Sequence, residues 1–242
     1  MLRCKNWTLG ALAAAAVFSI AASGGKAGNP PAAAPALAAE QEAPAARAIL
    51  DNLSSSKVGK FPHKWRTWPL QRGKAEEVYS VAEENGSRYI KAYDDHDASQ
   101  QIFLNFDWQI DRSPILSWRW RATTLPPGAS EAGDATNDSA CGVYVIVGRY
   151  DGHAIKYVWS STLPAGATHT RHDGKLKIKV LDSGASGKGK WVRHRVDIPA
   201  DYEALFGRKL DKNPSGVAIL TDGNAVHKPS GCDYADFAVS GK

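Results

Sequence analysis

Tryptophan and arginine alternate along one short segment of the 242-residue chain, Leu116 to Arg121. In a β-strand, this alternation places Trp118 and Trp120 on one face, where two large aromatic rings can anchor a core. Arg119 and Arg121 then lie on the opposite face, where each guanidinium can bind a carboxylate or a phosphate through two hydrogen bonds. The arginines therefore predict a surface for an anionic ligand. The alternative is an internal ion pair with one of three acidic residues, Asp138, Asp222 or Asp236.

Three further aromatic residues, Tyr144, Tyr157 and Trp159, are candidates for a binding platform. Sugar rings stack their C–H faces on aromatic side chains, so aromatic residues on an exposed sheet face are typical of glycan-binding sites. We expect these three to share the face that carries the two arginines. The alternative is that they belong to the core. The predicted ligand-binding residues are Arg119, Arg121, Tyr144, Tyr157, Trp159 and Asp222.

A polar loop after the tryptophan–arginine segment contains Asp134, Asn137 and Asp138. Carboxylate and amide oxygens are the ligands that Ca²⁺ prefers, so these three residues predict a structural calcium site. Their spacing is not that of an EF-hand, and the alternative is a solvated loop without an ion. No other cofactor is expected.

No catalytic residue is assigned, because the sequence contains neither a G-x-S-x-G nucleophile motif nor an H-E-x-x-H zinc motif. A polysaccharide lyase would need a base such as Tyr157, His153 or Lys156 near an arginine. The paired carboxylates of a glycoside hydrolase have no fixed spacing in sequence. An enzyme therefore stays an open alternative.

Residues 1–38 have the pattern of a secretory signal peptide. Arg3 and Lys5 precede an uncharged run of 15 residues, Thr8 to Ala22, which is short for a membrane span. Cleavage is expected before Ala39, with Gly25 to Ala27 as a nearer alternative and an uncleaved anchor as the other. Cleavage would leave 27 Lys and Arg against 25 Asp and Glu, so the net charge would fall from +5 to +2. This balance gives no support for nucleic-acid binding.

Cleavage would also remove Cys4 and leave two cysteines, Cys141 and Cys232. Two cysteines in an exported protein predict one disulfide, and two separate buried thiols are the alternative. The expected location is the periplasm or the extracellular space.

Residues 39–58 read as an Ala- and Pro-rich linker with a short helix over Ala45–Leu53, and residues 59–242 as one domain. Asn85-Gly86 predicts a hairpin between strands at 77–83 and 88–93. About ten short strands without long helices predict an all-β fold, a two-sheet antiparallel β-sandwich of the jelly-roll type.

An ordered set of short motifs resembles a bacterial family, the domain of unknown function 3047. The motifs include W-R-W-R at Trp118–Arg121, L-P-P-G-A at Leu125–Ala129, T-D-G-N at Thr221–Asn224 and Y-A-D-F at Tyr234–Phe237. The resemblance extends from Phe61 to Val239 and implies an exported β-sandwich similar to carbohydrate-binding modules, with no activity attached. The family often has a D-T-D-N type of loop at 221–224, so one acidic residue is missing here and a metal role for that loop is weaker.

These features predict an exported, non-catalytic binding module that recognises a glycan or another anionic component of the cell envelope. An envelope domain that contacts a partner protein is the first alternative. A polysaccharide-degrading lyase or hydrolase on the same scaffold is the second. We expect no nucleic-acid partner and no stable membrane span after cleavage.

Overall fold

The computed structural model describes residues 47–148 and 152–242. The predicted signal peptide and the start of the predicted linker, residues 1–46, lie outside this part of the chain. In chain order the strands are β1 Arg47–Ile49, β2 Tyr79–Glu84, β3 Ser87–Asp94, β4 Ile102–Asn105, β5 Ile115–Thr124, β6 Cys141–Val147, β7 His153–Ser160, β8 Thr168–Arg171, β9 Leu176–Ser183, β10 Val192–Asp197, β11 Pro214–Leu220 and β12 Ser230–Ser240. The α-helices are α1 Arg72–Val78 and α2 Ile198–Phe206. Neither of these two helices has the length and apolar character that crossing a membrane requires.

The strands form two sheets that pack face to face. The first sheet has the order β10–β5–β12–β3–β2, and β1 also pairs with β12; the second has the order β4–β11–β6–β7–β9–β8. Strands β3–β7 and β10–β12 are distributed between the sheets as in a jelly roll. The predicted β-sandwich is therefore confirmed, with one correction. Strands β7 and β9 are parallel, because the connection that contains β8 returns the chain to the end at which β7 began.

The tryptophan–arginine segment lies in β5, between β10 and β12 of the first sheet. Trp118 and Trp120 are buried between the sheets, as predicted. Their ring centroids are 5.4 Å apart in an edge-to-face contact, and the ring of Trp118 also lies 5.6 Å from that of Tyr157 in the second sheet. This packing directs the alternate residues Arg119 and Arg121 to the outer face of the first sheet.

A disulfide joins the two sheets. Cys141 begins β6 of the second sheet, Cys232 lies in β12 of the first, and their Cα atoms are 5.4 Å apart. The two cysteines are 91 residues apart in sequence, so the bond stabilises the fold by lowering the conformational entropy of the unfolded chain.

Two local predictions have different outcomes. Asn85 and Gly86, with φ values of 51° and 73°, join β2 and β3 in the predicted hairpin. The predicted short helix over Ala45–Leu53 is wrong for its described part, because Arg47–Ile49 form a strand against Ala238–Ser240 of β12. Pairing with the edge of β12 outweighs the helix propensity of this segment.

Candidate functional site

The outer face of the first sheet carries Arg119, Arg121 and Trp191, which we call the arginine face. Both guanidiniums lie on the indole of Trp191, with their central carbons 4.4 and 4.6 Å from the ring centroid. Cations attract the negative face of an aromatic ring, so this stack holds the two arginines in place. Trp191 is itself half-buried.

Each arginine of the arginine face also has an acidic partner. Arg119 forms an ion pair with Asp236 at 3.0 Å, and Arg121 forms one with the buried Asp233 at 2.7 Å. Glu84 lies 3.1 Å from Arg121 as a second partner. The sequence suggests three acidic residues as possible internal partners of the arginines, and one of them, Asp236, pairs with Arg119 on this face. An anionic ligand would have to displace a carboxylate that is already paired.

Tyr157 and Trp159 do not share the arginine face, which corrects the prediction. Both point from β7 into the core between the sheets and are buried. The hydroxyl of Tyr157 donates a hydrogen bond to Asp201 at 2.9 Å, and the indole of Trp159 donates to the carbonyl of Gly184 at 3.0 Å. These two side chains therefore cannot form a platform on the protein surface.

Tyr144 lies on the outer face of the second sheet, beside the buried Lys156. The ammonium of Lys156, whose residue is 2 % exposed, lies 5.5 Å from the centroid of the Tyr144 ring. Gly142 makes room for the lysine, since a Cβ there would lie 3.0 Å from Lys156 Cε and 2.9 Å from the carbonyl oxygen of Leu220. Tyr144 is thus fixed by an internal contact.

Three carboxyl groups complete the buried Lys156 cluster, namely those of Asp222, Glu131 and Asp138. Asp222 accepts a hydrogen bond from the backbone N–H of Ser139 at 3.0 Å. Burial raises the pKa of Asp222 to about 6, although the charge of Lys156 acts in the opposite direction. Burial also opposes the charge on Lys156, but Tyr144 and the carboxylates outweigh it and raise the pKa of Lys156.

The three predicted calcium ligands have different surroundings. Asp134 is exposed and forms an ion pair with Arg171. Asp138 is buried and accepts a hydrogen bond from the backbone N–H of Val226 at 2.8 Å. Asn137 also has a buried side-chain oxygen, and no described residue donates a hydrogen bond to this atom. Within residues 47–148 and 152–242, no group of three or more His, Cys, Asp or Glu side chains is arranged to hold a metal ion.

A groove that the sequence does not reveal lies at the β4 edge of the second sheet, and we call it the Trp68 groove. Its volume is about 780 Å³. Residues Arg66 and Phe103 form a β-bridge, with backbone hydrogen bonds of 2.8 and 2.9 Å, which extends the sheet beyond β4. Trp68, two residues later, packs against Phe103 with the ring centroids 5.6 Å apart and is still 59 % exposed.

The Trp68 groove combines aromatic rings with amide, hydroxyl and carboxylate groups. Its described lining residues are Trp68, Gln101, Phe103, Asn105, Phe106, Asp107, Trp108, Ile146, Gly148, Asn213, Pro214 and Ser215. The rings of Phe106 and Trp108 stack at 5.1 Å, and the side chain of Asn213 is held by a hydrogen bond from the backbone N–H of Ile110 at 3.1 Å. Such a surface can stack on a sugar ring and hydrogen-bond its hydroxyl groups. Among these lining residues the only ionisable side chain is Asp107.

A second cavity, of about 520 Å³, is lined by residues 51–54 after β1 and by residues of β3 and β12. Its polar side chains already serve the fold. Asp51 accepts hydrogen bonds from the backbone N–H of Leu53 at 2.9 Å and from the indole of Trp65 at 3.2 Å. Arg88 donates to three backbone carbonyl groups in residues 53–56. The Trp68 groove is therefore the better candidate for a ligand site.

The fold has distant similarities among solved structures. The family 11 carbohydrate-binding module of the cellulosomal cellulase Lic26A-Cel5E of Clostridium thermocellum is 9% identical, with 81% of this chain and 95% of that chain covered and a TM-score of 0.40. The K2 cleaved adhesin domain of Lys-gingipain is 11% identical, with 81% and 97% covered and a TM-score of 0.40. A family 29 carbohydrate-binding module from Piromyces equi is 12% identical, with 82% and 91% covered and a TM-score of 0.33. Similarities this weak do not indicate a ligand.

The sequence itself gives a clearer assignment. No curated protein matches it. A family model described as a protein of unknown function, DUF3047, matches residues 63–238, so the chain belongs to this family.

Proposed function

We propose that this protein is an exported, non-catalytic module that binds a glycan in the Trp68 groove. The observation that carries the proposal is the exposed indole of Trp68 at the mouth of a groove of about 780 Å³. A large aromatic ring that is exposed to water loses hydrophobic stabilisation, which stacking on a sugar ring would restore.

The polar lining of the Trp68 groove fits the hydroxyl groups of an uncharged sugar. Asn105, Asp107 and Asn213 offer both donors and acceptors beside the aromatic rings. The described lining has no cation that would neutralise a uronic acid or a sulfate. We therefore infer an uncharged glycan, rather than the anionic component that the two arginines suggest in the sequence.

The positions of the candidate bases, none of which lines the Trp68 groove, support a non-catalytic role for that groove. Tyr157 is buried in the core, and Lys156 is buried on the outer face of the second sheet. His153 packs against Phe206 of α2 with ring centroids 5.1 Å apart. A lyase needs one base within hydrogen-bond reach of the substrate, which the buried Tyr157 and Lys156 do not offer. His153 lies 3.4 Å from Arg208 but outside the lining of the Trp68 groove.

Export is supported by the signal-like N-terminus and by the disulfide between Cys141 and Cys232, since disulfides persist in oxidising compartments. We infer a periplasmic or extracellular location from these two features.

A glycan array tests the proposal. The chain without its predicted signal peptide is compared with Trp68→Ala and with Tyr93→Ala, which removes an exposed aromatic ring from the first sheet. We expect at least one uncharged glycan to bind, with its dissociation constant raised about 30-fold or more in Trp68→Ala and unchanged in Tyr93→Ala. Absence of binding by the folded wild-type protein, or equal effects of the two substitutions, would reject the proposal and favour a protein partner.

A further inference from the structure

The segment Lys57–Lys74, which we call the basic edge segment, has a charge unlike that of the rest of the domain. It contains six Lys and Arg and no Asp or Glu, whereas residues 75–242 contain 20 Lys and Arg against 22 Asp and Glu. The net charge of the chain without its predicted signal peptide is only +2, so this local concentration of positive charge is not apparent from the composition. The six cationic residues, all exposed, are Lys57, Lys60, Lys64, Arg66, Arg72 and Lys74.

The basic edge segment runs along one edge of the sandwich, from the first sheet to the second. At its start, the backbone of Gly59 and Lys60 forms two hydrogen bonds of 2.8 Å with Val81 of β2. At Arg66 it pairs with β4, and the guanidinium of Arg72 then lies 3.9 Å from the ring centroid of Phe61. The end of the segment thus contacts its beginning, which brings Arg72 close to the turn that contains Lys60.

Few of these cations have an acidic partner, in contrast to those of the arginine face. Arg72 pairs with Glu76 at 2.6 Å, and Lys64 lies 3.8 Å from Asp51. The other four have no carboxylate within 4 Å in the described part of the chain; they are Lys57, Lys60, Arg66 and Lys74. Their positive charge is therefore available to an anionic surface.

Two tight turns of the basic edge segment expose apolar side chains. The turn closed by the Lys60 N–H and the Lys57 carbonyl exposes Val58, and the turn closed by Gln71 and Trp68 exposes Leu70. The exposed fractions are 52 % for Val58 and 99 % for Leu70. Trp68 is 59 % exposed in the same segment. Three of the most exposed large apolar side chains among the described residues, Val58, Trp68 and Leu70, therefore lie in the basic edge segment.

Leu70 is also in an unfavourable backbone conformation. Its φ is +67°, close to the +76° of Gly59 at the same position of the other turn. This position requires positive φ and is typically occupied by Gly or Asn, because a Cβ crowds the backbone there. A fully exposed leucine in this conformation contributes no packing to the fold, which points to a role in contact with another apolar phase.

We propose that the basic edge segment docks the protein on an anionic phospholipid bilayer. The cations would lie against the lipid phosphates, and Leu70 would enter the boundary between headgroups and acyl chains. A soluble polyanion could neutralise the cations but would gain nothing from Leu70, which has no polar atom. The lipid surface therefore accounts for both the charge and the apolar side chains. This inference does not rest on glycan binding.

Vesicle co-sedimentation tests the proposal with variants that leave the lining of the Trp68 groove intact. The probe is a vesicle of phosphatidylcholine mixed with phosphatidylglycerol, compared with pure phosphatidylcholine. Lys57→Ala, Lys60→Ala and Lys74→Ala are combined in one variant. The charge-matched control combines Lys188→Ala, Lys190→Ala and Lys209→Ala, which are exposed elsewhere on the domain. A second variant, Leu70→Asn, keeps the turn and removes the apolar side chain.

We expect binding to the anionic vesicles alone, weakened by added salt. The first triple variant should lower the partition coefficient about 100-fold, and the control should change it little. Leu70→Asn should lower it about tenfold. No binding of the wild type to the anionic vesicles, equal losses in the two triple variants, or full binding by Leu70→Asn would overturn the proposal; the last result would indicate attraction by charge alone. Glycan binding in the array would be unaffected in either case, so the two proposals fail separately.

Discussion

The outer faces of the two sheets use similar residue types in different ways. On the arginine face, the ring of Trp191 is covered by two guanidiniums, and each guanidinium has a carboxylate partner. In the Trp68 groove, the ring of Trp68 is 59 % exposed beside amide and carboxylate groups. A binding surface is therefore recognised by side chains whose interactions are incomplete, and residue types alone do not identify it.

The lysines show the same contrast. Lys156 is buried with Tyr144 above it and three carboxyl groups nearby. Lys60 and Lys74 in the basic edge segment are exposed and have no carboxylate within 4 Å among the described residues. A charge that is already neutralised stabilises the fold, whereas an unpaired surface charge is available to a partner.

The largest effect on stability is expected from the disulfide that joins the two sheets. Replacement of both Cys141 and Cys232 by Ala should lower the free energy of unfolding by about 4 to 5 kcal/mol, because the unfolded chain regains the entropy of a long loop. Urea unfolding of the wild type and of the double variant measures this difference in free energy, and the reduced wild type is a second reference. A loss below about 1 kcal/mol would contradict the account.

The next effect distinguishes buried from exposed pairs on the arginine face. Arg121→Ala should lower the free energy of unfolding by about 3 kcal/mol, because it leaves Asp233 buried without its partner. Arg193→Ala is the control, since Arg193 is more exposed and shares Asp236 with Arg119; the loss there should stay below about 1 kcal/mol. Equal losses in the two variants would show that burial does not distinguish the pairs.

The second sheet has a buried polar cluster around Lys156 and an exposed site, the Trp68 groove. The titration of Asp222 tests how strongly burial affects the first of these. The folded-state pKa of about 6 lies above the ordinary 3.8, so the folded protein holds this proton more tightly than the unfolded chain. The resulting stabilisation is present below about pH 4 and is lost as the pH rises through about 6, a change of up to about 3 kcal/mol.

The measurement is the free energy of unfolding of wild type and Asp222→Asn as a function of pH. The asparagine can still accept the hydrogen bond from Ser139 but does not titrate. Between pH 4 and 7, the wild type should lose stability relative to the variant. Parallel curves would show that Asp222 has the same pKa in both states.

The smallest effect concerns the two turns of the basic edge segment. Leu70→Asn should raise the free energy of unfolding by about 1 kcal/mol, because asparagine tolerates positive φ better than leucine. Gly59→Ala, at the equivalent position of the other turn, should lower it by about 1 kcal/mol. Thermal unfolding compares the two, and a destabilised Leu70→Asn would mean that Leu70 serves the fold rather than a partner.

The sequence predicts the fold better than the site. Alternation in β5 identifies the core face of Trp118 and Trp120, and Asn85-Gly86 identifies a hairpin, because both signals are local. Strand β7 is covered on both faces, with Trp159 in the core and Lys156 under the outer loops. Alternation therefore could not show which residues of β7 are accessible.

The Trp68 groove depends on contacts that are distant in sequence. Trp68 is exposed because its segment pairs with β4 through Arg66, and Asn213 reaches the same groove from the residue before β11. The available signals were a tryptophan in a turn with proline and a run of cations without acidic residues. The overall charge balance concealed the second signal.

We expect a glycan to bind at Trp68 and not on the arginine face. The side-chain N–H signals of the seven tryptophans in the domain, observed by nitrogen-15 NMR, test this most directly. Trp68→Phe and Trp191→Phe assign the two relevant signals. On titration with a glycan that binds in the array, the signal of Trp68 should shift and that of Trp191 should not. A shift of Trp191 with an unchanged Trp68 would contradict the account and return the site to the arginines.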